Sequence, residues 1–121
     1  MTKEFTPTPI KPTISFEDLN RIDIRVGTIV SVEDVAGSNK LLKLTVDFGD
    51  HQRSILAGMK QERQNPGELE GIQALFVVNL EPKKMMGQAS EGMLFDIGYA
   101  DGIVPALAMP ERHVPNGSRL G

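Results

Sequence analysis

Apolar and polar residues alternate most regularly between positions 22 and 33. Ile22, Ile24, Val26, Thr28, Val30 and Val32 take every second place, while Arg21, Asp23, Arg25, Gly27, Ser31 and Glu33 fill most of the others. That period predicts a long strand with one buried face, and Gly27 on its outer side is a natural point for the strand to bend. Past a loop at Gly37-Ser38-Asn39, the residues Leu42, Leu44, Val46 and Phe48 predict a second strand. Gly49-Asp50 then reads as a two-residue hairpin turn, and Arg53 to Gly58 as the returning third strand.

The pattern changes at Asn65-Pro66-Gly67-Glu68-Leu69-Glu70-Gly71, where a cap, an N1 proline, first-turn acids and a closing glycine predict a very short helix. Ala74 to Val78 is continuously apolar, as in a fourth strand buried on both faces. Met93, Phe95 and Ile97 alternate again as a fifth. Ile103 to Met109 offers one more short strand, and Pro110 to Gly121 is a Pro/Gly-punctuated tail. Upstream, Ser15-Phe16-Glu17-Asp18 fits a capping box, which puts Phe16 and Leu19 on one side of a one- or two-turn helix. Residues 1–13, with Pro7, Pro9 and Pro12 among threonines, read as a flexible arm, leaving 14–121 as the domain. This order of elements predicts an all-β fold: a five-stranded Greek-key OB-fold barrel with short helices and a C-terminal extension. An SH3-like barrel has shorter strands and usually no helix between the third and fourth.

Length and composition narrow the functions available. At 121 residues the chain holds one domain, and the absence of cysteine removes disulfides, thiolate metal sites and cysteine nucleophiles together. No apolar run reaches the ~20 residues of a membrane helix, and MTKEFTPTPIKPT lacks the apolar centre of a secretory signal. A cytoplasmic protein is expected, with no membrane partner. The net charge of −3 gives no global pull toward polyanions, so a nucleic-acid site would have to be a local basic patch. His51 lies beside Asp47 and Asp50, but these sit at a hairpin tip and a strand end and need not converge on a metal. His113 has no acidic partner nearby in the tail. With no nucleophile elbow and no phosphate-cradling glycine loop, the sequence predicts no enzyme, no catalytic residues, no metal and no cofactor.

The informative stretch runs from Asn79 to Met93 and joins the fourth and fifth strands, a position OB-folds use to grip oligonucleotides. Lys83-Lys84 is the only adjacent basic pair in the chain, and Met85-Met86 follows it. Exposed, these flexible apolar groups need something to meet; the alternative is that they fold back as a lid on the barrel.

Several separate motifs here resemble those of one family, the stand-alone tRNA-binding domain also appended to methionyl-tRNA synthetases and to a eukaryotic synthetase-associated cytokine. They are Asp23-Ile24-Arg25-Val26-Gly27, Ser38-Asn39-Lys40-Leu41, and Asn79-Leu80 followed by Pro82, Lys84-Met85, Gly87 and Ser90-Glu91-Gly92-Met93. The resemblance runs from about Ile14 to Leu120, and the closing Val114-Pro115-Asn116-Gly117-Ser118-Arg119-Leu120 looks like the end of small free-standing members, among them a bacterial export chaperone. It implies a non-catalytic homodimer joined through the N-terminal helix and the tail, and the apolar edge of that helix makes Phe16 and Leu19 the expected interface residues. It also implies that Asn79, Lys84, Ser90 and Met93 bind RNA, joined by Lys83 and Met85 of the same loop, with Lys40 and Arg25 as flanking phosphate contacts. Where relatives often carry a basic residue after the Lys-Met pair, this chain has Met86.

Aromatic residues are only 5% of the chain, so recognition of a folded RNA surface fits better than base stacking along a single strand. The expected function is a homodimeric tRNA-binding protein that recognises folded tRNA by backbone and shape. Two alternatives are an export chaperone that binds extended, unfolded polypeptide, and a tRNA-affinity subunit acting with a methionyl-tRNA synthetase.

Overall fold

The computed structural model describes residues 5–121. Of the expected arm, residues 1–4 lie outside the described residues, and residues 5–13 carry neither helix nor strand and are exposed. Ser15 caps α1 (Phe16–Leu19), its Oγ accepting from the Asp18 N–H at 3.0 Å, and this single turn buries none of its residues.

The strands follow in the order β1 (Ile24–Asp34), β2 (Leu42–Asp47), β3 (Gln52–Ala57) and β4 (Gln73–Val77). Five short ones come after: β5 (Lys83–Met85), β6 (Gln88–Ser90), β7 (Met93–Leu94), β8 (Asp96–Ile97) and β9 (Ala106–Leu107). One antiparallel five-stranded sheet runs β3-β2-β1-β4-β7 and curls until its edges meet. There the Glu91 N–H donates to the Ser54 carbonyl at 2.9 Å and the Leu56 N–H to Ser90 Oγ at 2.9 Å. This is the OB-type order that the alternation predicted. Leu42, Leu44, Val46 and Phe48 all point into the core, where they meet Ile29, Ile55, Ala74 and Phe76. A 3₁₀ turn at Pro66–Leu69, behind Asn65, drives Leu69 into the same core.

Strand one departs from its expected face. A Cβ on Gly27 would meet Val46 Cγ1 at 2.5 Å and Phe48 Cε1 at 2.9 Å, so Gly27 points inward, not outward. Ile29 is fully buried beside it, and Val30 is 44% exposed. The register shift between Ile29 and Ser31 returns Val32, paired with Leu44, to the core side. Val26 is buried as well, although it lies on the opposite face, because the C-terminal tail pairs with this half of β1. Its N–H donates to the Ser118 carbonyl at 2.9 Å, the Gly117 N–H to the Val26 carbonyl at 2.8 Å, and the Leu120 N–H to the Ile24 carbonyl at 2.9 Å. A strand covered on both faces, with a bulge, does not show its inner side as a simple period of two.

Asn116 fixes the tail, its Oδ1 accepting from the Thr28 hydroxyl and from Gln73 Nε2, each at 2.8 Å. The expected fifth strand is broken into β7 and β8: Leu94 packs on the core, whereas Met93 and Ile97 stay open. Among the described residues no helix is long and apolar enough to cross a membrane.

Candidate nucleic-acid interface

The segment after β4 is a hairpin, not an open loop. Lys83 pairs with Ser90, Lys84 with Ala89 and Met85 with Gln88. Met86 (φ +51°) and Gly87 (φ +77°) make the tip, which needs two left-handed residues; glycine suits one, and a methionine in the other stores ~1 kcal/mol or more. Paired residues share a face and successive residues alternate, so the two lysines part company. Lys83, Met85 and Ser90 face the barrel, and Lys84 and Ala89 face away. On the barrel side lies a groove of about 530 Å³ lined by Leu56, Leu80, Glu81, Lys83, Met85, Ser90, Gly92 and Met93.

Both ends of this hairpin are pinned. Ser90 is 3% exposed, and its hydroxyl accepts from Leu56 and donates to the Gly92 carbonyl at 3.0 Å. The resemblance marks this position as an RNA contact, whereas in the structure barrel closure uses its hydroxyl. Asn79 is exposed, yet its amide is occupied too, with Oδ1 accepting from the Asp23 N–H at 2.8 Å and Nδ2 donating to the Arg21 carbonyl at 2.6 Å.

Lys40, Lys83 and Lys84 are exposed and Met93 is 44% open. Lys43 was missed from the sequence, although the alternation that buries Leu42, Leu44 and Val46 already turned it outward. It stands opposite Leu56 across the β2–β3 ladder and opposite Glu33 across β1–β2. Among the described residues none of Lys40, Lys43, Lys83 and Lys84 forms an ion pair, while Arg25, Lys60, Arg63, Arg112 and Arg119 all do.

Arg25 lies apart from these lysines, at the mouth of the barrel. Its ladder partner is the core residue Phe76, and its guanidinium holds both Asp23 oxygens at 3.1 Å. Arg25 first, and then Arg119, keep the Asp23 carboxyl below the usual carboxylate range against the opposing effect of burial. Arg53, overlooked in the sequence, closes the same mouth. Nη1 donates to the Val78 and Glu91 carbonyls at 2.6 and 3.0 Å, and the guanidinium carbon stands 6.0 Å from the centre of the Phe48 ring. Arg53 Nε donates to His51 Nε2 at 2.9 Å, which assigns the ring proton to Nδ1, 2.6 Å from Asp50 Oδ1. Asp47 turns instead to the Gly49 N–H at 2.8 Å, so these three groups share no centre. His113 is exposed in the tail.

A third surface is apolar. Phe16 is 84% exposed and Leu19 is half open, and a groove of about 430 Å³ is lined by Leu19, Ile22, Ile24, Arg119 and Leu120 among others.

A curled antiparallel barrel with a hairpin after β4 defines an OB-type fold. The chain belongs to the family described as "Putative tRNA binding domain", whose model matches residues 24–119. Among curated relatives, a methionine–tRNA ligase of Bacteroides fragilis is 40% identical over 112 residues, which cover 93% of this chain and 16% of that one. The chain thus spans about a sixth of the length of such relatives. Among solved structures, a MetRS related protein from Pyrococcus horikoshii is 35% identical with a TM-score of 0.84, over 92% of this chain and all of that one. The CsaA chaperone protein from Picrophilus torridus is 29% identical with a TM-score of 0.78, over 90% of this chain and 100% of its own.

Proposed function

We propose that this chain is a non-catalytic, homodimeric tRNA-binding protein of the cytoplasm that recognises folded tRNA by backbone and shape. The observation that carries the reading is a set of four lysines, Lys40, Lys43, Lys83 and Lys84, that have no carboxylate partner among the described residues, in a chain of net charge −3. Held by the β1–β2 connection, β2 and β5, they offer separated point charges that suit phosphates at imprecise positions. Arg25 contributes less to RNA than its motif suggests, since Asp23 neutralises it. Asn79 and Ser90 hold the hairpin that carries Lys83, Lys84 and Met85.

The dimer forms through Phe16, Leu19 and the tail beside them, because an apolar patch of this kind is costly to leave in water. Sedimentation should give twice 13.2 kDa, and a mass of 13.2 kDa at micromolar concentration rejects the dimer. Retention of total tRNA on a filter at low and moderate salt tests the function; no retention at low salt rejects it.

A second reading, binding of extended polypeptide, draws on the likeness to a CsaA chaperone and on the apolar groove beside Met85. A role as the tRNA-affinity partner of a methionyl-tRNA synthetase is a third, drawn from the ligases the chain resembles.

A further inference from the structure

We propose that the groove between β3 and the β5–β6 hairpin receives one unstacked base of the bound RNA, a site for which phosphate contacts alone have no use. The inference rests on the tRNA-binding reading and deepens it. The groove is apolar within and basic at its rim. Leu56, Leu80, Met85 and Met93 form the inside, and Leu80 and Met93 remain 48% and 44% exposed although both are large and apolar. Lys83 projects to the same side of the hairpin as Met85, and Lys43 neighbours Leu56 across the β2–β3 ladder. Among the described residues Glu81 is the one acid in the lining, and it pairs with neither lysine.

An apolar slot with ammonium groups at its edge matches a nucleotide, which joins a flat ring to a charged phosphate. An apolar peptide side chain would fill the slot, but its neutral backbone has no use for the lysines, so charge complementarity favours RNA. The lining also matches. A thioether makes favourable contacts with aromatic rings, and two methionines supply a stacking surface in a chain with one tyrosine and no tryptophan. Folded RNA offers such bases in its loops and bulges. Finally, the slot exists before anything binds: Ser90 fixes one end of the hairpin to Leu56, and Asn79 fixes the chain leading into the other. A pre-formed pocket avoids the ordering cost that a mobile loop would incur.

The test is NMR of the full chain labelled at methionine methyls, titrated with total tRNA, with signals assigned by loss in Met85→Ala and Met93→Ala. Stacking on a base should move the Met85 and Met93 methyl protons upfield through the ring current. Each of the two variants should weaken tRNA binding about two- to tenfold with an unchanged salt slope. Met93→Ala changes an open side chain and serves if Met85→Ala folds poorly. If tRNA binds and both methyls stay in place, the base pocket is wrong while the tRNA reading stands. If tRNA does not bind at low salt, both fall. If an aromatic-free unfolded polypeptide moves these two methyls and tRNA does not, the groove is a peptide site and the inference is overturned.

Discussion

Arg119 reaches back across 96 residues of sequence to grip Asp23, with Nε and Nη2 at 3.2 and 3.3 Å from its two oxygens. Arg25 holds the same carboxylate from within β1. One acid therefore ties the last residues of the chain to the first residues of the barrel. This explains why Arg25 and Arg119, both of a type suited to phosphate, differ from the lysines that form no ion pair among the described residues. It also explains how a tail of prolines and glycines can complete a sheet, since its ladder to β1 is anchored by Arg119 and Asn116.

Asp23→Asn should expose that anchor through pH. The folded carboxyl titrates below its unfolded value of about 3.9, so its contribution is present above that pH and is lost as pH falls through the lower folded value. Thermal melts should show the variant a few degrees less stable than the parent at pH 7, with the gap closing as pH falls below the ordinary carboxylate range. A gap that persists unchanged in acid would mean the charge is not what holds the tail.

Ser90→Ala should destabilise the fold by about 1–3 kcal/mol, because it leaves a buried Leu56 N–H without an acceptor. That corresponds to a drop in Tm of several degrees. Lys84→Ala, on the outer face of the same hairpin, should leave Tm nearly unchanged. Equal melting temperatures for Ser90→Ala and parent would return Ser90 to the surface role its motif suggests.

Much of this was legible in the sequence. Leu42, Leu44 and Val46 declared their strand because one face is core and the other open, and Ser15 declared its helix by a local hydrogen bond. Gly27 did not declare its direction. The tail that covers Val26, at Gly117 and Ser118, lies at the far end of the chain, and no periodicity in β1 can register it. The motifs of Ser90 and Asn79 imply ligand contacts, and in the structure both side chains bond to backbone groups. A polar residue that satisfies a distant backbone group and one that meets RNA look alike in sequence. Lys43 is hidden for the opposite reason: the alternation that announces β2 marks its core face and says nothing of what the outer residues meet.

Gly27→Ala tests the corrected face directly. The added methyl would meet Val46 and Phe48 in the packed core, so destabilisation of about 1–3 kcal/mol is expected by denaturant melt. An outward Gly27 would instead tolerate alanine within about 0.5 kcal/mol.

The lysines give the sharpest check on function, because charge and stacking leave different signatures. Replacing Lys40, Lys43, Lys83 or Lys84 singly by alanine should weaken tRNA binding whatever the sequence. Each change should also reduce the slope of log affinity against log salt by about one unit if its ammonium displaces a counterion. The effects should combine additively in a Lys40/Lys84 double variant, since these side chains share no partner among the described residues. Lys60→Ala is the control: its ammonium lies 3.0 Å from Asp34, so removing it frees an acid and releases no available cation. Its salt slope should match the parent. If Lys60→Ala lowers the slope as much as Lys84→Ala does, carboxylate pairing does not select the lysines that meet phosphate, and the binding face lies elsewhere on the barrel.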